Sequence, residues 1–466
     1  MIIFFKSLST PNHLNVKKMK ILRIKKGFNH PLSELKITAN FQTNLKEPEK
    51  IAVLPFALKG IRPKLLVNQN DFVKTGTPLF HHKNNSELVF LSPGCGKISN
   101  IEVGQKRIIQ KIEIELDETQ DFEELHSVTE SSLRNISIDD LAEVFLKDGL
   151  WPFFRSLPFN TIPDPCERPD IIFVKMSDNV PFYPLPESWL KHRLKAFNHG
   201  ISVLKKFSES VVVYADKNNH SIGECAGSID YQITGKYPAY DPGVVFYRIK
   251  EKANVKAWYI DGQSIINIGE TLAHGKFFTD KIFIVGSSSF DRPYHVKSRI
   301  GAPVSSLLGS DYKFKKNHRF ISGDIFKGLK TSADGYTGFY ESALTILPEG
   351  NEKEFLGFLK PGTKKESYSK TFLSALFKSQ TKTDCNTHGE KRACINCTYC
   401  EQVCPVNILP QFTMKALYGD DIESALSHGL LDCTECGLCS YVCPSKISLS
   451  EIFKEAKDNY LKEEKA

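Results

Sequence analysis

The sequence of 466 residues predicts a multidomain protein of mixed α/β and α+β class. Three observations support this. Short strands separated by turn residues fill residues 51–117, strands and helices alternate over residues 138–286, and eight of the twelve cysteines crowd into residues 394–443. The first pattern predicts a small all-β unit, the second an α/β core, and the third a metal-binding region rather than a disulfide scaffold.

Composition narrows the class of protein. With 41% hydrophobic and 25% charged residues, the chain resembles an ordinary globular protein. The net charge of +7 suits an anionic membrane face or an acidic partner. We expect no nucleic-acid partner, because no Lys/Arg-rich run is interleaved with aromatic residues. No apolar stretch reaches about 18 residues, and no secretory signal is evident, so a cytoplasmic location without a transmembrane segment is expected.

The N-terminal β unit is predicted over residues 19–118. Its clearest signal is the alternation of Ile112, Ile114 and Leu116 in residues 108–116, and glycines and prolines supply the turns. Met19 opens a second plausible N-terminus, so residues 1–18 are interpreted as an upstream extension or a disordered arm.

The α/β core is predicted over residues 119–288. It opens with a helix over residues 138–148, for which Ser137 is the candidate N-cap. Strands and helices then alternate. Strands are predicted at residues 171–175, 211–214, 245–249, 257–260 and 281–286, with helices at 187–207 and 263–274. This order indicates an open parallel or mixed sheet. A small α+β module (289–348), a connector (349–384) and a helical cysteine region (385–466) complete the prediction.

Two identical cysteine motifs carry the chemistry of the sequence. Each has the spacing C-x2-C-x2-C-x3-C-P, and the ligand candidates are Cys394, Cys397, Cys400 and Cys404 in the first motif and Cys433, Cys436, Cys439 and Cys443 in the second. This is the bacterial ferredoxin run, in which three thiolates wrap one [4Fe–4S] cluster and the fourth ligates the neighbouring cluster. The first cluster is therefore predicted on Cys394, Cys397, Cys400 and Cys443. The second is predicted on Cys433, Cys436, Cys439 and Cys404.

Other uses of the cysteines fit less well. Zinc sites use two CxxC pairs separated by a dozen or more residues, rather than four sulfurs within eleven positions. Two short helices, at residues 409–418 and 422–428, and a closing helix at 449–461 are expected to cover the clusters with apolar side chains. Because each cluster has four cysteines, electron relay is favoured over dehydratase chemistry.

Several segments together resemble one family. They are KILRIKKGF, LSPGCGKISNI, KDGLWPFFRSLPFNTIP, AWYIDGQSIINIGETLAHGKFFTDKIFIVG, RFISGDIFKG, EFLGFLKPG, KTFLSALFK and HGEKR. In this order they resemble the A subunit of the Na+-translocating NADH:quinone reductase over nearly the whole chain from Met19. The resemblance implies a barrel-sandwich-like N-terminal unit, a Rossmann-like core, a β-grasp-like module and a helical ferredoxin-like domain.

One departure from that family is instructive. Its familiar members lack most of the C-terminal cysteines, whereas this chain keeps eight, as the related C subunit of the Rnf complex does. Such relatives, and the flavin-binding subunit of respiratory complex I, carry a glycine-rich loop for flavin mononucleotide and NADH. The matching residues 148–163 contain one glycine, Gly149, and bulky side chains at Trp151, Phe153 and Phe154. Because a phosphate cradle needs close backbone approach, no flavin or NADH is predicted on this chain.

The resemblance implies a role as well. It implies a peripheral subunit on the cytoplasmic face of the bacterial inner membrane, within a complex that reduces ubiquinone with NADH and exports Na+. The implied partners are the integral membrane B, D and E subunits, the C and F subunits, and ubiquinone. This chain would relay electrons through its two clusters at the quinone end.

The quinone prediction concerns the aromatic stretch of residues 150–159. Its candidate ligands are Trp151, Phe153, Phe154 and Phe159 for stacking and Arg155 for donation to a carbonyl. The alternative is that these side chains pack a helix end against the sheet. Two further alternatives stay open for the whole chain: an Rnf-type input subunit that oxidises NADH on flavin mononucleotide, and a structural docking subunit with vestigial clusters.

Overall fold

The structure is a computed structural model. It describes residues 19–464 except 44, 218–227, 253, 291, 310–316, 352–358, 367, 370–371 and 377–382. The predicted extension over residues 1–18 lies outside the described residues.

Strands and helices follow one another in four regions. The N-terminal strands are β1 (Lys20–Ile24), β2 (Lys50–Val53), β3 (Pro63–Leu65), β4 (Phe72–Val73), β5 (Pro78–His82), β6 (Asn85–Leu91), β7 (Gly96–Val103) and β8 (Ile109–Leu116). Next come α1 (Glu130–Asn135), α2 (Ile138–Lys147), β9 (Arg155–Leu157), β10 (Ile171–Lys175), α3 (Pro186–Leu190), α4 (Leu194–Phe207), β11 (Ser210–Asp216), β12 (Tyr231–Gly235), α5 (Pro242–Ile249), β13 (Ala257–Asp261) and α6 (Gly262–His274). A third region contains β14 (Asp280–Ser287), β15 (Tyr294–Arg299), α7 (Val304–Leu307), β16 (His318–Ser322), β17 (Leu329–Thr331) and β18 (Ala343–Pro348). The C-terminal helices are α8 (Tyr399–Val403), α9 (Pro410–Tyr418), α10 (Ile422–Ser427), α11 (Leu438–Tyr441) and α12 (Leu449–Glu464).

The N-terminal region forms two antiparallel sheets, with strand orders β2-β8-β7-β4 and β3-β5-β6. The alternation that predicted β8 places Ile112 and Ile114 in the core with no exposure. Glycine is required at Gly96, because a Cβ there would lie 1.9 Å from the carbonyl oxygen of Glu115 on the neighbouring strand. The predicted all-β unit is therefore present, as two packed sheets.

The central sheet has six strands in the order β1-β12-β11-β10-β13-β9, and all but β9 run parallel. Strand β10 reads IIFVK and is buried along its middle, as parallel strands covered on both faces require. The N-terminal strand β1 pairs with β12, more than two hundred positions away in the sequence.

Helix caps explain where two core helices begin. Ser137 caps α2, because its side chain accepts a hydrogen bond from the Asp140 amide, as predicted. Asp261 ends β13 and caps α6, accepting from the amides of Gln263 and Ser264. Helix α6 ends at Gly275, which adopts φ 62° in the left-handed region. The strand-to-helix switch at Asp261 thus lies at the carboxyl edge of the sheet.

Two sequence predictions in this region are wrong. Residues 245–249 were expected to form a strand, but they belong to α5, because Asp241 caps that helix and Pro242 occupies its first turn. The single helix expected over residues 187–207 is two helices, α3 and α4. They are separated near His192, which has φ 64°.

The third region is a five-stranded sheet with order β15-β14-β18-β16-β17. Strands β14 and β18 are parallel, and the other pairs are antiparallel. Its core contains Phe283, Val285, Leu344 and Ile346, each without exposure. The short helix α7 packs Val304 and Leu307 into the same core.

The C-terminal helices pack on one face of the six-stranded sheet. One hydrophobic cluster joins Phe173, Tyr214 and Ile233 of the sheet to Met414 of α9 and Phe453 of α12. Cysteines of both motifs belong to this same hydrophobic cluster, so the motifs pack against the six-stranded sheet.

Candidate iron–sulfur site

The two cysteine motifs fold into the same local shape. Residues at matching positions of the two motifs have positive φ: Asn396 and Glu435 at 53° and 56°, and Thr398 and Gly437 at 62° and 81°. These left-handed residues turn the backbone sharply between consecutive cysteines. Each loop then enters a short helix, α8 or α11, which carries the third cysteine.

The eight cysteines line two separate cavities. The first cavity is lined by Cys394, Cys397, Cys400 and Cys443, together with apolar side chains that include Met414. The space outside its protein atoms, counting its open side, is about 370 Å³.

The second cavity is lined by Cys433, Cys436, Cys439 and Cys404, and also by Cys400. Its volume on the same basis is about 360 Å³. The fourth cysteine of each motif therefore lies at the cavity of the other motif, which is the arrangement that the spacing predicts.

The donor set fits an iron–sulfur cluster. Within the ranges that the structure describes, no three or more His, Cys, Asp and Glu side chains are gathered to hold a single metal ion. The four sulfurs instead surround an open volume. Thiolate is the ligand that such clusters use.

Burial affects the acidity of the thiols. It raises the pKa of Cys400 and of Cys433 to about 11, and the pKa of Cys436 to about 12. Because only the thiolate binds metal, filling these cavities releases protons at neutral pH.

The first loop faces outward. Ile395, between its first two cysteines, is 67% exposed. Asn396 accepts a hydrogen bond from the exposed Lys415 at 2.9 Å. On the buried side, the Cys400 thiol donates to Gln411 Oε1 at 3.4 Å, and Gln411 donates in turn to Glu401.

The second loop is held by the rest of the chain. The Tyr237 hydroxyl donates to the Cys436 carbonyl at 2.8 Å, and the Tyr237 ring stacks on Phe326 at 4.5 Å. Phe326 also limits Gly437, where a Cβ would lie 3.2 Å from its carbonyl oxygen. These contacts bring the α/β core and the third region onto one loop.

Sequence reasoning missed the cations around the second loop. Four lysines from distant parts of the chain contact its polar groups: Lys59, Lys250, Lys327 and Lys457. Burial raises the pKa of the Glu435 carboxyl, but the charges of Lys457 and Lys59 more than offset this, and the net pKa is lowered. No local pattern in the sequence marks these lysines, because each contact spans more than 20 positions.

The predicted quinone residues divide into two groups. Trp151, Phe153 and Phe154 are at most 3% exposed and belong to the main hydrophobic core. Their rings pack edge-on or tilted against neighbours that include Trp258, and the Trp151 Nε1–H donates to the Pro163 carbonyl at 2.9 Å. This is the packing role that was considered as the alternative.

Arg155 and Phe159 are half-buried. The Arg155 guanidinium lies between two rings, 4.6 Å from the centroid of Tyr259 and 4.3 Å from that of Tyr340. Phe159 stacks on Tyr460 of α12 at 6.4 Å. Phe159 therefore lies between the α/β core and the C-terminal helix, whereas Arg155 lies between the α/β core and the third region.

The single glycine of the segment has a structural reason. Gly149 adopts φ 62°, and a Cβ there would lie 2.5 Å from Cγ of Leu91. Gly149 therefore lies in close contact with the Leu91 side chain of the N-terminal unit.

Family models match three parts of the chain. A model described as the NqrA N-terminal barrel-sandwich hybrid domain matches residues 22–117, and one described as the NqrA second alpha/beta domain matches residues 136–277. A 4Fe-4S dicluster domain matches residues 393–447, which contain all eight motif cysteines. The chain is thus a mixed α/β protein with an N-terminal barrel-sandwich domain and a C-terminal dicluster region.

Relatives match over nearly the full length. The A subunit of the Na(+)-translocating NADH-quinone reductase from Yersinia pseudotuberculosis serotype O:1b is 31% identical over 448 residues, covering 93% of this chain and 98% of the relative. The subunit of the same name from Neisseria meningitidis serogroup B is 30% identical over 450 residues, covering 95% and 100%. Among solved structures, an NAD+-reducing [NiFe]-hydrogenase in the H2-reduced state overlaps with a TM-score of 0.36 at 7% identity over 72% of this chain and 65% of that chain, too low to support an argument. The length and level of the sequence matches show that the chain belongs to the family of the A subunit of the Na(+)-translocating NADH-quinone reductase.

Proposed function

We propose that this chain is the peripheral A subunit of a Na+-translocating NADH:quinone reductase and that it relays electrons through two [4Fe–4S] clusters. The complex is an oxidoreductase and translocase that reduces ubiquinone to ubiquinol with NADH and couples this to Na+ export. The observation that carries the relay is the pair of cavities, lined by four and by five cysteines respectively, each set drawn from both motifs.

The ligand sets follow from those linings. Cys394, Cys397, Cys400 and Cys443 would hold one cluster, and Cys433, Cys436, Cys439 and Cys404 the other. When bound, each cluster supplies a one-electron carrier. The protein contributes the thiolates, a mostly apolar lining, and the Tyr237 and Lys457 hydrogen bonds that fix the second loop.

The quinone end is proposed at the segment 155–159, which carries Arg155 and Phe159. A quinone needs an aromatic face and a donor for its carbonyl, and these two half-buried residues offer both. Trp151, Phe153 and Phe154 would support the segment from beneath, as core residues. In the assembled complex, Phe159→Ala and Arg155→Met should raise the KM for ubiquinone while the iron content stays unchanged. An unchanged KM for ubiquinone in both variants would show that the quinone does not bind at Arg155 or Phe159.

No flavin or NADH is proposed on this chain. The support is the packing of residues 149–154, where a Cβ at Gly149 would clash with Leu91 and where Trp151 is fully buried among other rings. The rival Rnf-type subunit would bind flavin mononucleotide here. Flavin released from the denatured chain, with NADH bleaching its iron–sulfur absorption, would favour that rival.

The proposed location is the cytoplasmic face of the bacterial inner membrane. Over the residues that the structure describes, no helix is long and apolar enough to cross a membrane. The proposed partners are the integral membrane B, D and E subunits, with the C and F subunits, and no nucleic acid.

A test in the assembled complex separates relay from docking. We expect Cys397→Ala or Cys436→Ala to abolish most NADH-driven ubiquinone reduction, while the complex still assembles. Cys166→Ala is the matched control, because this exposed cysteine lies outside both cavities. Full activity in both ligand variants would mean that the clusters are vestigial and that the chain only docks.

A further inference from the structure

A fully buried lysine lies beside the second cysteine loop. Lys457, on α12, has 0% side-chain exposure. Its ammonium donates to the carbonyl oxygens of Cys433 and of Pro158, both at 2.7 Å, and pairs with the Glu435 carboxylate at 2.9 Å. All three of its hydrogens can therefore be satisfied, which a buried ammonium requires.

Its partner Glu435 reaches the cavity itself. Glu435 lies between Cys433 and Cys436 and lines the second cavity, with 13% side-chain exposure. Lys59 from the N-terminal region approaches the same carboxylate at 3.4 Å and also pairs with Asp458 at 2.9 Å. Lys59 and Lys457 thus form one ion-pair network with Glu435 and Asp458. Of these four residues, Glu435 is the one that lines the cavity.

The first loop lacks this network. The residue that matches Glu435 in the repeat is Asn396, which is neutral and exposed. Its contact is with Lys415 at the surface, where water and salt screen the charge. The repeat therefore supplies an internal control: the same loop geometry with and without a buried charge pair.

Charges near an iron–sulfur cluster affect how readily it accepts an electron. Reduction adds a negative charge, so a nearby carboxylate disfavours it and a nearby ammonium favours it. The effect is largest where burial keeps the local dielectric low. Lys457 and Glu435 meet that condition, whereas Lys415 does not.

We propose that the buried Lys457–Glu435 pair sets the reduction potential of the cluster in the second cavity, with its two members acting in opposite directions, and leaves the cluster in the first cavity unaffected. The inference rests on the proposed function, because it needs a cluster on Cys433, Cys436, Cys439 and Cys404. Lys457 and Glu435 are positioning residues here, since each acts through the proposed cluster: Glu435 from the cavity lining and Lys457 from behind the Cys433 carbonyl and Glu435.

The test is a redox titration of the intact, cluster-loaded chain followed by low-temperature EPR. We expect Lys457→Met to lower the potential of the second cluster, because Glu435 keeps its charge while losing its closest partner. We expect Glu435→Gln to raise it, because Lys457 is then left uncompensated. Each shift should be on the order of tenfold in the reduction equilibrium, about 59 mV for one electron. Cys404→Ser identifies which signal belongs to the second cavity.

Three controls make the result decisive. Lys415→Met and Asn396→Asp should move neither potential measurably, because both positions are exposed and water and salt screen a charge there. Iron content and the unfolding midpoint show whether each variant still folds. If Lys457→Met does not fold, the potential measured for Glu435→Gln tests the inference by itself.

Each contrary result has one meaning. Shifts of the same sign in Lys457→Met and Glu435→Gln, equal shifts of both clusters, or no shift in fully loaded chains would overturn the inference alone. A wild-type chain that binds no iron would overturn the proposed function and this inference with it.

Discussion

The two cysteine loops share their spacing and their backbone turns, yet they differ in almost everything around them. The first exposes Ile395 and the neutral Asn396 to solvent. The second is contacted by Tyr237 of the α/β core and Phe326 of the third region. Four lysines also contact its polar groups.

The comparison separates what a motif determines from what the fold adds. The spacing of the cysteines determines how each loop wraps, because positive φ recurs at matching positions such as Asn396 and Glu435. The charge and solvent exposure of each cavity depend on segments far away in the sequence. The two proposed clusters, although each would have four cysteine ligands, would therefore not have to be equivalent electron carriers.

The largest effect should come from removing the one cysteine that each motif is proposed to contribute to the other motif's cluster. Cys404→Ser is expected to abolish the cluster of the second loop, although Cys404 belongs to the first motif. The iron content should fall from about eight to about four per chain. Cys443→Ser is the matched variant and should abolish the cluster of the first loop. Iron counting with EPR checks both, and loss of the cluster on the residue's own motif would break the crosswise assignment.

A large difference is also expected in lability. Because Ile395 and its loop are exposed, a soluble iron chelator should remove the first cluster several-fold faster than the second. EPR signals followed over time, assigned with the Cys404→Ser variant, measure the two rates. Equal rates would mean that the contacts of Tyr237 and Phe326 do not protect the second loop.

A smaller effect tests the backbone of the two loops. Gly437→Ala should destabilise the chain by about 1–3 kcal/mol, because Gly437 has φ 81° and Phe326 lies close to its Cβ position. The matching change Thr398→Gly should be neutral or stabilising by about 1 kcal/mol, because it relieves a left-handed residue in an open loop. Urea unfolding compares the free energies of unfolding. Similar losses in both variants would show that the loops are equally constrained.

The smallest effect is on the stability of the protein in acid, and it arises from Glu113, which lies in neither cysteine loop. Burial raises the pKa of Glu113, but hydrogen bonds from Tyr336, Lys111 and Ser99 more than offset this and lower it to about 2 from its ordinary 4.5. Its stabilisation is therefore complete above about pH 4.5 and is lost as the pH falls towards 2.

The Tyr336→Phe variant measures this contribution. Because it removes one of the hydrogen bonds, its free energy of unfolding should lie below that of the parent near pH 6, and the gap should narrow by pH 3. A gap independent of pH would show that Glu113 is not the titrating group.

Much of the fold could be predicted from local patterns. Strand β10 and the Ser137 cap of α2 follow from β-branched residues and from a side chain placed to accept an amide hydrogen bond. The strand expected at residues 245–249 was wrong because Asp241 and Pro242 start a helix, and this capping signal outweighed the β-branched residues that follow it.

The candidate site shows the same division. The cysteine spacing predicts which sulfurs share a cluster, and the linings of the two cavities support those sets, although Cys400 lines both cavities. The lysines at positions 59, 250, 327 and 457 could not be predicted, because only the tertiary fold brings them to one loop. The aromatic stretch at Trp151 left binding and packing open, since a buried ring and a ligand-stacking ring look alike in sequence.

The most direct test of the two-cluster account is iron and sulfide counting, combined with low-temperature EPR, on the intact chain purified without oxygen. The account predicts about eight irons and eight sulfides per chain, with the reduced signals broadened by interaction between neighbouring clusters. A colourless chain, or one that carries only tetrahedral zinc, would contradict it.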